Sequence, residues 1–197
     1  MARIARLPLI FVVLALAACG GSAGGKEHAS SCRVPLLDAS RPHTVGVVTN
    51  LGAFAFGLDV KDSPCVSASF ASLIRKGFFD GTVFHRIVPG FVIQGGDPTG
   101  TGTGGPGYTV QDVPPQDARY TKGVVAMAKT PSEPRGTAGS QFFVVTGADA
   151  GLPPDYAVLG KVTQGLAVVL KIGTLGDPTT EQPTKKVTIE KITIRPT

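Results

Sequence analysis

Residues 84–97 read FHRIVPGFVIQGGD, two short runs rich in β-branched and aromatic residues, parted by Pro89-Gly90 and closed by Gly95-Gly96. Runs of this kind, bounded by proline and glycine, predict strands. Strand signals cover 82–87 and 91–94, and a glycine-rich loop follows over 95–107. The same punctuation continues outward. Residues 44–49 (TVGVVT) and 53–58 (AFAFGL) flank Asn50-Leu51-Gly52, which predicts a hairpin. Residues 123–128, 141–146 and 157–162 are further strand candidates, and 186–195 (KVTIEKITIR) alternates as a closing strand does. Two helices interrupt the series. Ser63, Pro64 and Gly77 read as cap, first-turn residue and stop of one helix, with Val66, Phe70, Leu73 and Ile74 on its apolar face. Leu166, Val169 and Leu170 predict a shorter helix before Gly173. About eight strands and two helices predict a mainly β domain, a closed eight-stranded antiparallel β-barrel capped by two α-helices, since closure removes exposed edges.

The chain has 197 residues, enough for one domain with a sizeable core. Its start reads differently. Arg3 and Arg6 precede an apolar run over 7–18 and then Cys19, the layout of a secretory signal. The run is short for a membrane span, which needs about 20 apolar residues. Residues 16–19 (LAAC) resemble a bacterial lipobox, whose cysteine is acylated and becomes the mature N-terminus; the alternative is an ordinary signal with a chance cysteine. Residues 20–31 (GGSAGGKEHASS) offer nothing apolar to bury and predict a flexible tether. The expected division is a signal over 1–18, an anchored tether and arm over 19–43, and a folded domain over 44–197. The expected place is the extracytoplasmic side of the cell membrane, held only by the lipid. With Cys19 acylated, Cys32 and Cys65 remain, and an even pair in an exported chain predicts a disulfide; the alternative is two separate thiols.

Losing Arg3 and Arg6 from the 19 Lys and Arg leaves 17 against 14 acids, a net +3. These charges are scattered, with no basic stripe interleaved with aromatics, which argues against nucleic acid as a partner. Residues 102–107 satisfy G-x-G-x-x-G, yet Pro106 and the strand-like Tyr108-Thr109-Val110 offer no following helix, so no dinucleotide site is expected. His28, His43 and His85 form no cluster, and no metal or other cofactor is expected.

Residues 84–97, the loop 100–105 (GTGTGG) and residues 139–147 (GSQFFVVTG) together resemble the signature blocks of the cyclophilins, over about 44–194. That resemblance implies an eight-stranded antiparallel barrel with two helices, peptidyl-prolyl cis-trans isomerase activity, and proline-containing polypeptides as clients of a monomer. It implies Arg86, Phe91, Gln94 and Phe143 as the catalytic set. Phe91, Phe143 and Leu152 match apolar walls of a proline pocket, and Val92 stands where the family often has methionine. Gln94 matches a side chain that hydrogen-bonds the substrate backbone. Ala128 and Lys129 match a pair whose main chain grips the peptide, with Lys129 in the place of a frequent asparagine. Gln141 lines the same groove, and Tyr156 occupies the place of a frequent histidine. Gly151 stands where many members carry the tryptophan that cyclosporin contacts. Strand alternation places His85 opposite Arg86 as a structural residue, and gives one of Phe142 and Phe143 to the core and the other to the pocket. The competing readings are a docking module of the same fold with little turnover, and a barrel carrying a small ligand in its lumen.

Overall fold

The computed structural model describes residues 32–197; the expected signal, Cys19 and the tether lie outside the described residues. The strands are β1 (His43–Thr49), β2 (Gly52–Leu58), β3 (Arg86–Val88), β4 (Val92–Gly95), β5 (Val110–Gln111), β6 (Val124–Met127), β7 (Thr137–Ala138), β8 (Phe142–Val145), β9 (Val158–Gln164) and β10 (Ile189–Pro196). The helices are α1 (Pro64–Arg75) and α2 (Leu166–Gly173). Eight strands join in one sheet in the order β10-β1-β2-β9-β6-β8-β4-β3, every pairing antiparallel, while β5 and β7 form a separate ribbon.

The expected closed barrel is corrected to a curled, open sheet, because no ladder joins the end strands β3 and β10. The cause is local. β3 has three residues, and the stretch 82–85, expected to extend it, leaves the ladder and lies across the gap. There Val83 makes single bridges to Asp97 and Thr188. Gly81 and Phe84 donate their N–H groups to the carbonyls of Ile189 and Val187, and Ile189 donates back to Thr82. The edges are therefore covered by bridging backbone rather than zipped together.

The interior of the curl is filled. Phe56, Phe70, Phe79, Phe84 and Phe142 are fully buried, and Phe70 of α1 meets Phe56, Phe79 and Phe142 at centroid distances of 6.2, 4.8 and 5.6 Å. A filled interior argues against the ligand-carrying barrel. Ser63 makes no side-chain cap to α1; the carboxylate of the remote Asp112 accepts the Val66 N–H at 2.7 Å in its stead, which answers one of the orphan donors of the first turn. A disulfide joins Cys32 to Cys65 in that same turn, with Cα atoms 5.0 Å apart and a sequence separation of 33. A loop of that span contributes roughly 3–4 kcal/mol in the chain-entropy picture.

Both faces of the central strands are buried, which explains why β6 (VVAM) and β8 (FFVV) are apolar throughout. Val125, Met127, Phe142, Val144 and Ile93 face the main core. Val92, Val124, Ala126, Phe143 and Val145 build a second cluster on the opposite face, with Tyr120 beneath and Phe91, Leu152 and Tyr156 around it.

Candidate active site

Register places two polar and two apolar residues of that second face in one line. Arg86 pairs with Gln94, Gln94 with Phe143, and Phe143 with Ala126, so the four lie side by side across β3, β4, β8 and β6. Directly opposite residues share a face of the sheet, and the row is fixed by backbone pairing rather than by flexible loops.

The row opens into a depression of about 260 Å³ lined by Arg86, Phe91, Val92, Gln94, Ala128, Lys129, Phe143, Leu152 and Tyr156. Gln141 lines an adjoining depression of about 670 Å³ that shares Gln94, Ala128 and Lys129 as a common rim. The ten residues singled out by resemblance thus converge on two neighbouring hollows. Phe142 turns to the core and Phe143 to the pocket.

The arginine is held at several atoms. Arg86 Nε donates to Glu181 Oε2 at 2.6 Å, Nη1 donates to Gln94 Oε1 at 3.3 Å, and the guanidinium lies over the Phe91 ring at 5.9 Å. Gln94 Nε2 donates to Gln141 Oε1 at 2.9 Å, and Gln141 Nε2 donates to the carbonyls of Gly102 and Gly104, both at 2.9 Å. One chain of hydrogen bonds therefore runs from Glu181 to the glycine-rich loop. Asp97 anchors its far end. Its buried carboxylate accepts the N–H groups of Thr99, Gly102 and Gly104 and the Thr99 hydroxyl, and a Cβ on Gly104 would collide with it. Burial alone would push the Asp97 pKa up, but these donors outweigh it and hold it at about 2.

Glu181 was not singled out from the sequence. It has φ of 59°, a left-handed conformation rare for a side-chain-bearing residue, and its carbonyl accepts the Ile87 N–H at 2.8 Å. Asp177 accepts the N–H groups of Thr179 and Thr180 within the same turn, so the turn is pinned to β3 while the carboxylate faces Arg86. Tyr120 is a second residue found only in the structure. Its hydroxyl donates to the Tyr156 carbonyl at 2.7 Å and accepts the Tyr156 N–H at 2.9 Å, and its ring meets that of Tyr156 edge-on at 5.8 Å. Burial raises its pKa to about 12, so it stays a neutral donor. Arg135 braces the same loop through the Asp155 carboxylate and the Pro154 carbonyl.

His85 precedes β3, outside its ladder, with its ring beneath Gly102. Both ring nitrogens are buried with no hydrogen-bond partner among the described residues, and burial lowers its pKa against the pull of Asp97. The ring packs beneath the glycine-rich loop, and its burial favours the neutral form.

Comparison with known proteins agrees with this geometry. The model of the family described as "Cyclophilin type peptidyl-prolyl cis-trans isomerase/CLD" matches residues 44–194. Human peptidyl-prolyl cis-trans isomerase-like 1 is 37% identical over 158 residues, covering 78% of this chain and 93% of its own length. Peptidyl-prolyl cis-trans isomerase B of Bacillus subtilis is 44% identical over 112 residues, covering 56% of this chain and 76% of its own. A solved cyclophilin-type isomerase of Cryptosporidium parvum superposes with a TM-score of 0.72 at 30% identity, covering 78% of this chain and 98% of that one. The same protein solved in the presence of the dipeptide Ala-Pro gives a TM-score of 0.71. With its family blocks gathered around one cross-strand row, this chain belongs to the cyclophilin-type peptidyl-prolyl cis-trans isomerases.

Proposed function

We propose that this chain accelerates X-Pro isomerisation in exported polypeptides as they fold, working as a lipid-anchored enzyme on the extracytoplasmic side of the membrane. The observation that carries the catalytic part is the row Arg86–Gln94–Phe143 beside a small pocket walled by Phe91, Leu152 and Tyr156. The relative solved with Ala-Pro supports a proline-containing peptide as the ligand.

Rotating an X-Pro bond means breaking amide resonance, a barrier of about 18–20 kcal/mol. In the twisted amide the proline nitrogen becomes pyramidal and its lone pair becomes a hydrogen-bond acceptor. The planar amide of the ground state has no such lone pair. A guanidinium donor that meets this nitrogen is therefore stronger in the transition state, which is what accelerates the step. Arg86 suits the role because Glu181 holds Nε and Gln94 holds Nη1, which fixes at the pocket wall a guanidinium that still has further N–H donors. Phe91, Phe143 and Leu152 hold the proline ring in an apolar recess over Val92 while the preceding carbonyl turns. Gln94 fixes the peptide backbone. The Ala128 N–H is already donated to Gln141, so the main-chain grip passes to the Ala128 carbonyl and Lys129. Tyr156 walls the pocket with its ring, and Lys129 lies over that ring at 5.5 Å.

The anchored location rests on the sequence before the described residues: Arg3, Arg6, the apolar run and LAAC ending at Cys19. Two measurements test the proposal. Catalysed cis-trans exchange of a short X-Pro peptide is expected, and binding without acceleration would favour the docking module. Mass spectrometry of the mature N-terminus is expected to find acylated Cys19 with residues 1–18 removed; a soluble product beginning elsewhere would overturn the anchor.

A further inference from the structure

One wall of the larger depression comes from outside the matched family region. Arg33 lies on the arm before residue 44, yet it lines that hollow together with Lys129, Glu133 and Tyr108. The arm is held on both sides of it. Cys32 is bonded to Cys65 of α1, Leu37 packs on the core, and Pro42 accepts the Thr197 N–H at 2.9 Å. The Arg33 guanidinium lies over the Tyr108 ring at 5.5 Å, a cation–π contact that orients the planar group without neutralising it. Tyr108 is itself fixed by a hydrogen bond between its hydroxyl and Ser69 of α1 at 3.0 Å.

No carboxylate among the described residues forms an ion pair with Arg33. Glu133, the one acid among the described residues lining this hollow, accepts the Thr130 N–H and hydroxyl at 2.6 and 2.9 Å with Oε2, while Asp62 and Asp112 line a separate hollow that Arg33 also borders. Lys129 adds a second cation on the rim shared with the proline pocket. A peptide whose proline sits in the smaller pocket and whose chain crosses that rim meets two cations against one acid already engaged in its own turn.

We propose that Arg33 is a specificity-determining residue, receiving an acidic side chain that lies a few residues from the substrate proline. This rests on the isomerase reading and extends it to substrate class. Pre-orientation by the disulfide and by Tyr108 lowers the ordering cost of binding that side chain. An exposed ion pair of this kind supports a preference of about three- to fivefold.

The test is kcat/KM of the full chain on X-Pro peptides bearing Glu, Gln or Lys at each of the three positions on either side of the proline. At one side, Glu over Gln is expected to favour turnover about three- to fivefold at low salt, with the advantage shrinking as salt rises. Arg33→Ala is expected to bring the ratio to about one, Arg33→Glu to invert it, and Arg33→Lys to keep part of it. Reducing the Cys32–Cys65 bond in the wild-type chain is expected to lower the ratio as Arg33→Ala does. A wild-type ratio of one at every position, or a preference that survives Arg33→Glu, overturns the assignment while leaving the isomerase reading in place. Absence of turnover on every peptide overturns the isomerase reading and the assignment with it.

Discussion

Glu181→Gln isolates what the ion pair does for Arg86. The substitution keeps the side-chain length, so the backbone carbonyl that accepts the Ile87 N–H should stay in place; only the charge is lost. The pair is short, 2.6 Å, but its side chains are 34% and 43% exposed, so solvent screens it. An exposed pair is worth about 0.2–1 kcal/mol. If all of that acts through the orientation of the guanidinium, kcat/KM falls about 1.4- to fivefold. A denaturation midpoint close to wild type would place the loss in the site rather than in the fold. The decisive arm is a double-mutant cycle: in an Arg86→Ala background, Glu181→Gln should change nothing further. A fall of equal size in that background, no fall in the wild-type background, or a gain in rate would each refute a positioning role.

Cyclosporin inhibition is expected to be weak, because Gly151 offers neither an indole N–H nor an aromatic edge, a combined loss of about 3 kcal/mol or a hundredfold in affinity. Space around Gly151 is open but its φ is +62°, so Gly151→Trp should recover only part of this, the left-handed conformation itself costing about 1–2 kcal/mol. Nanomolar inhibition of the unmodified chain would contradict the argument. Acid should destabilise the fold in two windows. His85 favours its neutral form in the fold, so stability is full above its ordinary pKa of 6.5 and begins to fall below it. Asp97 drops from 3.8 to about 2 on folding, so a further roughly 2 kcal/mol is lost as pH falls through that interval. Denaturant midpoints against pH check both, and an Asp97→Asn variant with an undiminished slope below pH 4 would remove the second.

The residues of the pocket are legible only through the resemblance of the blocks 84–97 and 139–147 to cyclophilin signatures; the structure adds why some of them meet, since antiparallel ladders put Arg86 opposite Gln94 and Gln94 opposite Phe143. The hairpin of β1 and β2 and both helices were legible from local punctuation and periodicity. The supports were not. Glu181 reaches Arg86 from a turn 95 positions away, and nothing in TTEQPT signals a left-handed residue. Tyr120 meets Tyr156 across 36 positions, and Asp112 reaches the first turn of α1 across 46, displacing the cap expected from Ser63. Openness of the sheet was hidden because residues 82–85 carry strand-like side chains yet spend their backbone on single bridges across the gap. Pattern records what a segment can do with its neighbours, whereas these contacts are set by tertiary closure.

Arg86→Ala bears most directly on the account. Arg86 packs at the rim of the site and not in the core, so the variant should fold, with the same antiparallel sheet and a similar denaturation midpoint. Its kcat/KM on a short X-Pro peptide, read by cis-trans exchange, should fall at least about tenfold, the equivalent of roughly 1.4 kcal/mol of transition-state stabilisation. A well-folded Arg86→Ala protein that turns the peptide over as fast as wild type would contradict the assignment of the guanidinium to the twisted amide.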